Sequence, residues 1–257
     1  FEQYGYAHFK MSKFEEYDLY VRNKDFLVSD QVITFSDRQG KLLALKPDVT
    51  LSIVKNAPEA PGAVRKVHYR ENVYRQERDG GNFREILQAG IECVGDVGSY
   101  EAAEVVYIAA GTLKALGEGT ILSLSHVGLI RYALEQSGLP ESAGRQALDC
   151  LRQKREQELR ALCAGHGADA TLLLTLLRAR TIDDLKCLEG CEALEELREI
   201  TALLNGNRLR LDFSLGNDMK YYSGLVFKGY VRGVPASVLS GGQYDKLMEK
   251  MNKDVRK

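Results

Sequence analysis

The sequence predicts an α+β fold in which an antiparallel sheet is flanked by helices and interrupted by a helical insertion. Alternating apolar residues, typical of strands, occur before about residue 95 and again after about residue 207, while the stretch from roughly 139 to 205 is helical in character throughout. Strands on both sides of a helical block imply one sheet built from distant segments. With 257 residues, 44% of them hydrophobic, the chain has enough apolar side chains for one sizeable core.

The first 51 residues alternate short β-rich pieces, including "YAHFKMSKFEEYDLYV", with polar turns. "TFSDRQGKLLAL" predicts a β-hairpin whose turn lies at residues 37–40. Pro47 should close its second arm. "DVTLSIVKNA" then predicts a short helix with Asp48 near its start, where an acid suits the helix dipole.

Two further β-like segments, "AVRKVHYRENVYRQE" and "REILQAGIECVG", are joined by the polar link "RDGGN". After them we expect a helix that begins at Ser99 and ends before Gly117, a strand at "TILSLS" and a helix that ends at Gly138. The helical insertion follows. Strands are then predicted at "RLRLDFSLG", "YYSGLVFKGYV" and "ASVLSGGQYDKL".

Charge and hydropathy exclude several classes of protein. With 35 basic and 36 acidic residues the net charge is -1, which gives no overall attraction to nucleic acid or to an anionic membrane. No apolar stretch is long enough to span a bilayer and the N-terminus has no leader pattern, so a cytosolic protein without a membrane partner is expected.

No metal or cofactor is expected. The five cysteines are odd in number and lack CxxC spacing. Cys187 and Cys191 in "CLEGC" could be two metal ligands on one helix face or two ordinary half-buried thiols. The four histidines have no HxH or HExxH spacing, and "DGGN" at 79–82 lacks the Gly-Lys-Ser/Thr of a phosphate loop, so it is better explained as a turn.

The densest group of functional side chains lies in "YRENVYRQERDGGNFREILQAGIECVG". Because side chains alternate along a strand, Arg75 and Glu77 share one face, as do Gln88, Gly90 and Glu92 on the return strand. This face could be a solvated surface with cross-strand ion pairs or a platform for a ligand.

The same stretch resembles motif 2 of class II aminoacyl-tRNA synthetases in its histidyl form. "TFSDRQGKLLALKPDVT", "YYSGLVF" and "LSGGQYDKL" are similar to three further elements of that family, in the same order along the chain. The resemblance implies one synthetase-like core domain over residues 1–257, with residues 139–205 as a helical insertion and no motif 3 region.

The resemblance also implies a pocket for free histidine. Acids and hydrogen-bonding groups would surround the ammonium and the imidazole edge. Arg75 would also form a possible ATP-facing remnant with Glu77. Without the resemblance, the two tyrosines of the pocket could be strand aromatics, one facing in and one out. The implied histidine-binding residues are Asp48, Thr50, Arg75, Gln88, Glu92, Tyr221 and Tyr222.

Departures from the synthetase pattern bear on activity. Asn217 stands where the synthetase has an arginine, and an amide cannot stabilise developing negative charge as a guanidinium can. L-R-P-E is replaced by "LKPD", with Lys46 and Asp48, and G-G-R-Y-D by "GGQYD", with Gln243.

The sequence retains the residues of a histidine pocket but not those of amino-acid activation, and in this it resembles the regulatory subunits of ATP phosphoribosyltransferase. That likeness implies no catalytic residues, histidine as effector, the catalytic subunit as partner and a self-dimer within a hetero-oligomer; tRNA is not expected to bind. Two alternatives are an active histidyl-tRNA synthetase core and a scaffold that binds no histidine.

Overall fold

The computed structural model describes residues 1–27, 31–57, 62–76, 81–204, 209–215 and 221–251. The chain divides into two compact units, one formed by residues 1–97 and 246–257 and the other by residues 98–245. Within the described ranges, no helix is both long and apolar enough to cross a membrane.

The first unit is built around a long two-stranded antiparallel hairpin. Its strands pair along 13 residues each, from Val64 opposite Gly95 to Gln76 opposite Phe83. Short 3-10 turns occur at Glu2–Tyr4 and Lys24–Phe26. The strands are β1 (Ala7–His8), β2 (Phe14–Glu16), β3 (Thr34–Ser36), β4 (Leu42–Leu45), β5 (Val64–Gln76) and β6 (Phe83–Gly95), and the helices are α1 (Tyr17–Arg22) and α2 (Thr50–Lys55).

Two local predictions for this unit are confirmed. β3 and β4 form the expected hairpin, and the Asp37 carboxylate fixes its turn by accepting hydrogen bonds from the backbone of Gln39 and Lys41, both at 2.8 Å. Asp48 Oδ1 accepts from Leu51 N at 3.1 Å, which satisfies a backbone donor in the first turn of α2.

Helix α1 corrects the sequence prediction, because it occupies part of the stretch that was expected to be β-rich. Asp18 and Arg22 pair at 3.2 Å across one helical turn, and the ring of Tyr20 is 1% exposed. One buried residue in a six-residue helix leaves no 3.6-residue period to detect, so the alternating pattern favoured a strand.

The second unit packs helices against one face of a four-stranded sheet with the order β10-β9-β7-β8. β9 pairs antiparallel with β7 and β10, and β8 runs parallel to β7. A 3-10 helix covers Ile182–Leu188. The strands are β7 (Thr120–His126), β8 (Leu209–Leu211), β9 (Leu225–Val231) and β10 (Leu239–Gly242), and the helices are α3 (Ser99–Ala115), α4 (Val127–Ser137), α5 (Glu141–Arg152), α6 (Glu156–His166), α7 (Thr171–Arg178) and α8 (Glu192–Leu203).

The α+β class is confirmed, but strand pairing differs from the single antiparallel sheet expected. The described strands pair in three sheets: β1-β5-β6, β2-β4-β3 and the sheet of the second unit. β1 is parallel to β5, as β8 is to β7. Apolar alternation identifies a strand but carries no information on which strand it pairs with, which explains this error.

The last helix is α9 (Asp245–Lys250).

Strand β8 is also shorter than "RLRLDFSLG" predicts. After Leu211 the Asp212 carboxylate accepts hydrogen bonds from the backbone and the hydroxyl of Ser214, at 3.1 and 2.6 Å, and the chain turns into a 3-10 helix at Phe213–Leu215. An Asp side chain that binds its own backbone two residues later ends a strand in this way.

Candidate functional site

One face of the β5–β6 hairpin carries the polar residues that the sequence singled out. Arg75 and Gln88 share it, and an Arg75 terminal nitrogen donates to Gln88 Oε1 at 2.9 Å. Gln88 Nε2 in turn donates to the Tyr69 hydroxyl at 2.9 Å. Gly90 lies opposite Tyr69, where an added Cβ would come within 2.5 Å of the hydroxyl oxygen. The glycine therefore makes room for the buried tyrosine ring.

The segment at residues 46–50 is tied to strand β5 by three contacts. Lys46 Nζ lies 2.5 Å from Glu71 Oε2, the Tyr74 backbone N–H donates to the Lys46 carbonyl at 2.9 Å, and Arg75 Nε donates to the Pro47 carbonyl at 2.6 Å. The side chain of Lys46 is 1% exposed and that of Glu71 is 16% exposed. These ties fix the position from which Asp48 enters the site.

Two buried carboxylates belong to this group. Glu92 is 9% exposed and accepts a hydrogen bond from the Thr50 hydroxyl at 2.7 Å. Asp48 is 8% exposed, and its Oδ2 lies 3.7 Å from a terminal nitrogen of Arg75. Five of the implied histidine-binding residues are thus brought together in the first unit: Asp48, Thr50, Arg75, Gln88 and Glu92.

Burial sets the protonation of the site. It raises the pKa of Asp48, although backbone N–H donors and the Arg75 charge oppose the shift. Burial and the nearby Glu92 charge raise the pKa of Tyr69, so its hydroxyl stays protonated at neutral pH and retains a hydrogen to donate.

The ionisable side chains of the site sum to a negative charge when all are ionised. Lys46 and Arg75 contribute two positive charges, and Asp48, Glu71 and Glu92 contribute three negative charges. A bound ammonium would balance the remaining charge and would favour the ionised form of Asp48. The arrangement is therefore suited to a small ligand that carries a cationic amine.

Tyr221 and Tyr222 belong to the second unit. Their rings meet edge to face with centroids 4.6 Å apart, and both side chains are half-buried. The Tyr222 ring covers Gly242, since a Cβ there would lie 2.7 Å from its Cδ1 atom. The prediction that they line a histidine pocket stays a prediction. Glu77 and Asn217 lie outside the described residues.

A chain of hydrogen bonds supports the strands next to these tyrosines. Gln243 Oε1 accepts from the Leu225 backbone N–H at 2.5 Å, and Gln243 Nε2 donates to Glu196 Oε1 at 3.1 Å. Glu196 Oε2 lies 3.2 Å from Nε2 of the buried His126, whose Nδ1 accepts from Gly128 N. Nδ1 is thus an acceptor and Nε2 faces the Glu196 carboxylate, while Gln243 joins β9 to helix α8.

Sequence reasoning missed three members of these networks. Tyr69 and Glu71 lie six and four residues before Arg75 on the same face of β5, so the period-two rule could have placed them in the site. Lys46 appeared only as a departure from a motif. Among the described residues, no three His, Cys, Asp or Glu side chains come together as metal ligands, and Cys187 is exposed while Cys191 is buried.

Comparisons with known proteins agree with the architecture. A family model described as histidyl-tRNA synthetase matches residues 1–257. The chain is 29% identical over 275 residues to an ATP phosphoribosyltransferase regulatory subunit of Acetivibrio thermocellus, covering 98% of this chain and 65% of that protein. It is 28% identical over 253 residues to a histidine–tRNA ligase of Methanosphaerula palustris, covering 94% and 61%. The chain thus spans just under two thirds of the length of both relatives.

A solved structure is also similar over almost the whole chain. It is a crystal structure of an ATP phosphoribosyltransferase regulatory subunit/histidyl-tRNA synthetase from Bacillus halodurans C, with a TM-score of 0.81 and 25% identity, covering 98% of this chain and 70% of that one. Both kinds of protein are therefore among the molecules that this chain resembles.

Proposed function

The chain belongs to the histidyl-tRNA synthetase family, and from this membership we propose that it is a non-catalytic regulatory subunit of ATP phosphoribosyltransferase that binds histidine as a feedback signal. Its partner would be the catalytic subunit of that enzyme, in a hetero-oligomer that contains a dimer of this chain. Helices α5–α8 would form the insertion in a synthetase-like core.

The buried acidic group of the first unit is the observation that carries the proposal. Asp48 and Glu92 are nearly inaccessible to water, and Thr50 and Gln88 hold their positions beside them. Burying carboxylates costs free energy unless a cation or hydrogen-bond donors compensate. The α-ammonium of an amino acid would supply the cation, and the Tyr69 hydroxyl could donate to its carboxylate.

The departures from the synthetase pattern favour a sensor over an enzyme. Asn217 in place of an arginine would leave the developing charge of amino-acid activation without a guanidinium partner. Gln243 accepts a backbone hydrogen bond that an arginine, which has no acceptor, cannot replace. For feedback, histidine must bind the inhibited arrangement of the assembly more tightly than the active one.

The decisive experiment is calorimetric titration of histidine into the purified chain. We expect saturable binding that Glu92→Gln and Tyr222→Phe each weaken, by about tenfold or more for Glu92→Gln because a charge-assisted hydrogen bond is lost. Glu85→Gln, on the opposite face of β6, and Tyr100→Phe, at an exposed position of α3, are matched controls that should bind as the parent does.

Two further measurements separate the alternatives. Addition of ATP should give no histidyl-adenylate; its formation would identify a synthetase core instead. Addition of the catalytic subunit should produce a phosphoribosyltransferase that histidine inhibits, and the Glu92→Gln variant should relieve that inhibition. Absence of histidine binding in the parent chain would contradict the proposal and leave a scaffold role.

A further inference from the structure

Four polar residues form a single row across the sheet of the second unit. Ser240 on β10 is opposite Lys228 on β9, Lys228 is opposite Ser123 on β7, and Ser123 is aligned with Arg210 on β8. Residues aligned across neighbouring strands project from the same face. Lys228 and Arg210 therefore flank Ser123, with their Cα atoms roughly 10 Å apart, two strand spacings.

This face is the one turned away from the apolar core. The alternate residues Leu122, Leu124 and Phe227 project to the other side, where they pack with the helices. At the outer end of the polar face, Ile121 is 45% exposed. Ser240 and Arg210, at the two ends of the row, are exposed, Lys228 is half-buried and Ser123 is buried, so solvent reaches the row at its ends.

The two cations have no protein counter-charge in the part of the chain that the structure describes. Neither the ammonium of Lys228 nor the guanidinium of Arg210 has a hydrogen-bond or ion-pair partner among the described residues. The acid that follows β8, Asp212, is paired with Lys154 Nζ at 2.7 Å and accepts a hydrogen bond from the Ser214 hydroxyl. The row consequently keeps two uncompensated positive charges, one on either side of a serine hydroxyl.

A buried hydroxyl on the same face gives an independent indication of a ligand. Ser125 lies two residues beyond Ser123 on the same face and is 0% exposed, and its Oγ has no hydrogen-bond partner among the residues that the structure describes. An unsatisfied buried hydroxyl costs free energy, which a polar ligand on this face would recover. Ser123 itself is only 4% exposed.

From this arrangement we propose that the row formed by Ser240, Lys228, Ser123 and Arg210 is a binding site for a phosphate group. A phosphate carries up to two negative charges and several acceptor oxygens, which match two cations and the hydroxyl donors between them. All four residues belong to the second unit, and the proposal goes beyond histidine sensing. Gly242, which the Tyr222 ring covers, is aligned with Val226 and Ser125, and it lies two residues, about 7 Å, from the phosphate row along the strand.

The test is a titration of the whole chain with inorganic phosphate, in which binding is measured by calorimetry and by the width of the ³¹P resonance. We expect saturable binding at millimolar concentrations or below, weakened about tenfold by Lys228→Gln and by Arg210→Gln, since each removes one charge-assisted contact. Ser123→Ala should weaken binding less, and sulfate should compete whereas acetate should not.

Matched controls make the result specific. Arg131→Gln on α4 and Lys114→Gln on α3 remove exposed charges from the same unit and should leave phosphate binding unchanged. Histidine titration of the Lys228→Gln variant should match the parent, so that failure of either proposal is seen separately. Phosphate that does not saturate, or that binds the Lys228→Gln and Arg210→Gln variants as tightly as the parent, would overturn the assignment.

Discussion

The pair formed by Lys46 and Glu71 allows a quantitative test of the site's construction. Lys46 is 0% exposed, and its ammonium lies 2.5 Å from the Glu71 carboxylate. Glu71→Gln keeps the size and shape of the side chain but removes the charge that balances Lys46. The ammonium would then be buried without a counter-ion, in a position that water does not reach.

The magnitude follows from the difference in burial between the partners. Removing one member of a buried ion pair costs about 3–5 kcal/mol, and Glu71→Gln should fall in that range because the lysine left behind is fully enclosed. Lys46→Met leaves Glu71, whose side chain is 16% exposed and can be partly hydrated; we expect about 1–3 kcal/mol. The double variant Lys46→Met/Glu71→Leu should be close to the parent in stability, because an apolar pair replaces both charges.

Denaturant unfolding followed by circular dichroism measures these differences, since the chain has no tryptophan for fluorescence. The matched control is the exposed pair of Lys41 and Glu16, which has a similar separation of 2.6 Å but side chains about half exposed. Lys41→Met and Glu16→Gln should change the unfolding midpoint little.

The reasoning would be refuted if Glu71→Gln shifted the midpoint no more than Glu16→Gln does, because burial would then not govern the cost. It would also fail if Lys46→Met were the more damaging change, since that order contradicts the exposures. Histidine titration of the double variant adds a second readout. A folded double variant with weakened binding would identify the pair as a positioning device for Asp48.

Three further changes test other parts of the structure. Gly90→Ala places a Cβ against the Tyr69 ring and should lower the free energy of unfolding by about 1–3 kcal/mol, measured with denaturant. The same variant should bind histidine more weakly in calorimetry. Burial raises the pKa of Asp48 above its ordinary value of 3.8, so the free energy of unfolding should fall as the pH rises from 3.8 through the pKa of the folded state. Asp48→Asn should remove this pH dependence, measured by unfolding from about pH 4 to pH 8. Gln243→Glu sets a second carboxylate against Glu196 and should lower the melting temperature, an effect that lessens as both acids are protonated at low pH.

Much of the fold was predictable because local patterns decide it. The hairpin at "TFSDRQGKLLAL" has a fixed turn and the helix that ends at Gly138 has a left-handed glycine cap, and the long strands around residues 64–95 follow from apolar alternation. Helix α1 was missed because six residues are too few for a helical period. Strand pairing was misjudged because alternation does not specify partners, as β1 and β8 illustrate with their parallel neighbours.

The site was predictable in part for a similar reason. Period-two alternation correctly placed Arg75 with Gln88, and their hydrogen bond was found at 2.9 Å. The ion pair of Lys46 and Glu71 was out of reach, because its members are 25 residues apart and neither belongs to a local pattern. Likewise, the contact between His126 and Glu196 could not be predicted, because Glu196 lies 70 residues further along the chain, on α8.

The role of Arg75 follows from the contacts it already makes. Its guanidinium bonds the Pro47 carbonyl and Gln88, lies 3.7 Å from Asp48, and the side chain is only 19% exposed. Moving it toward a nucleotide would release the segment that presents Asp48 and leave the Pro47 carbonyl without this donor. The polar group around Asp48 needs this arginine whether or not ATP binds. The presence of Arg75 is therefore explained by the architecture of the site, and it does not by itself indicate that activation chemistry is retained.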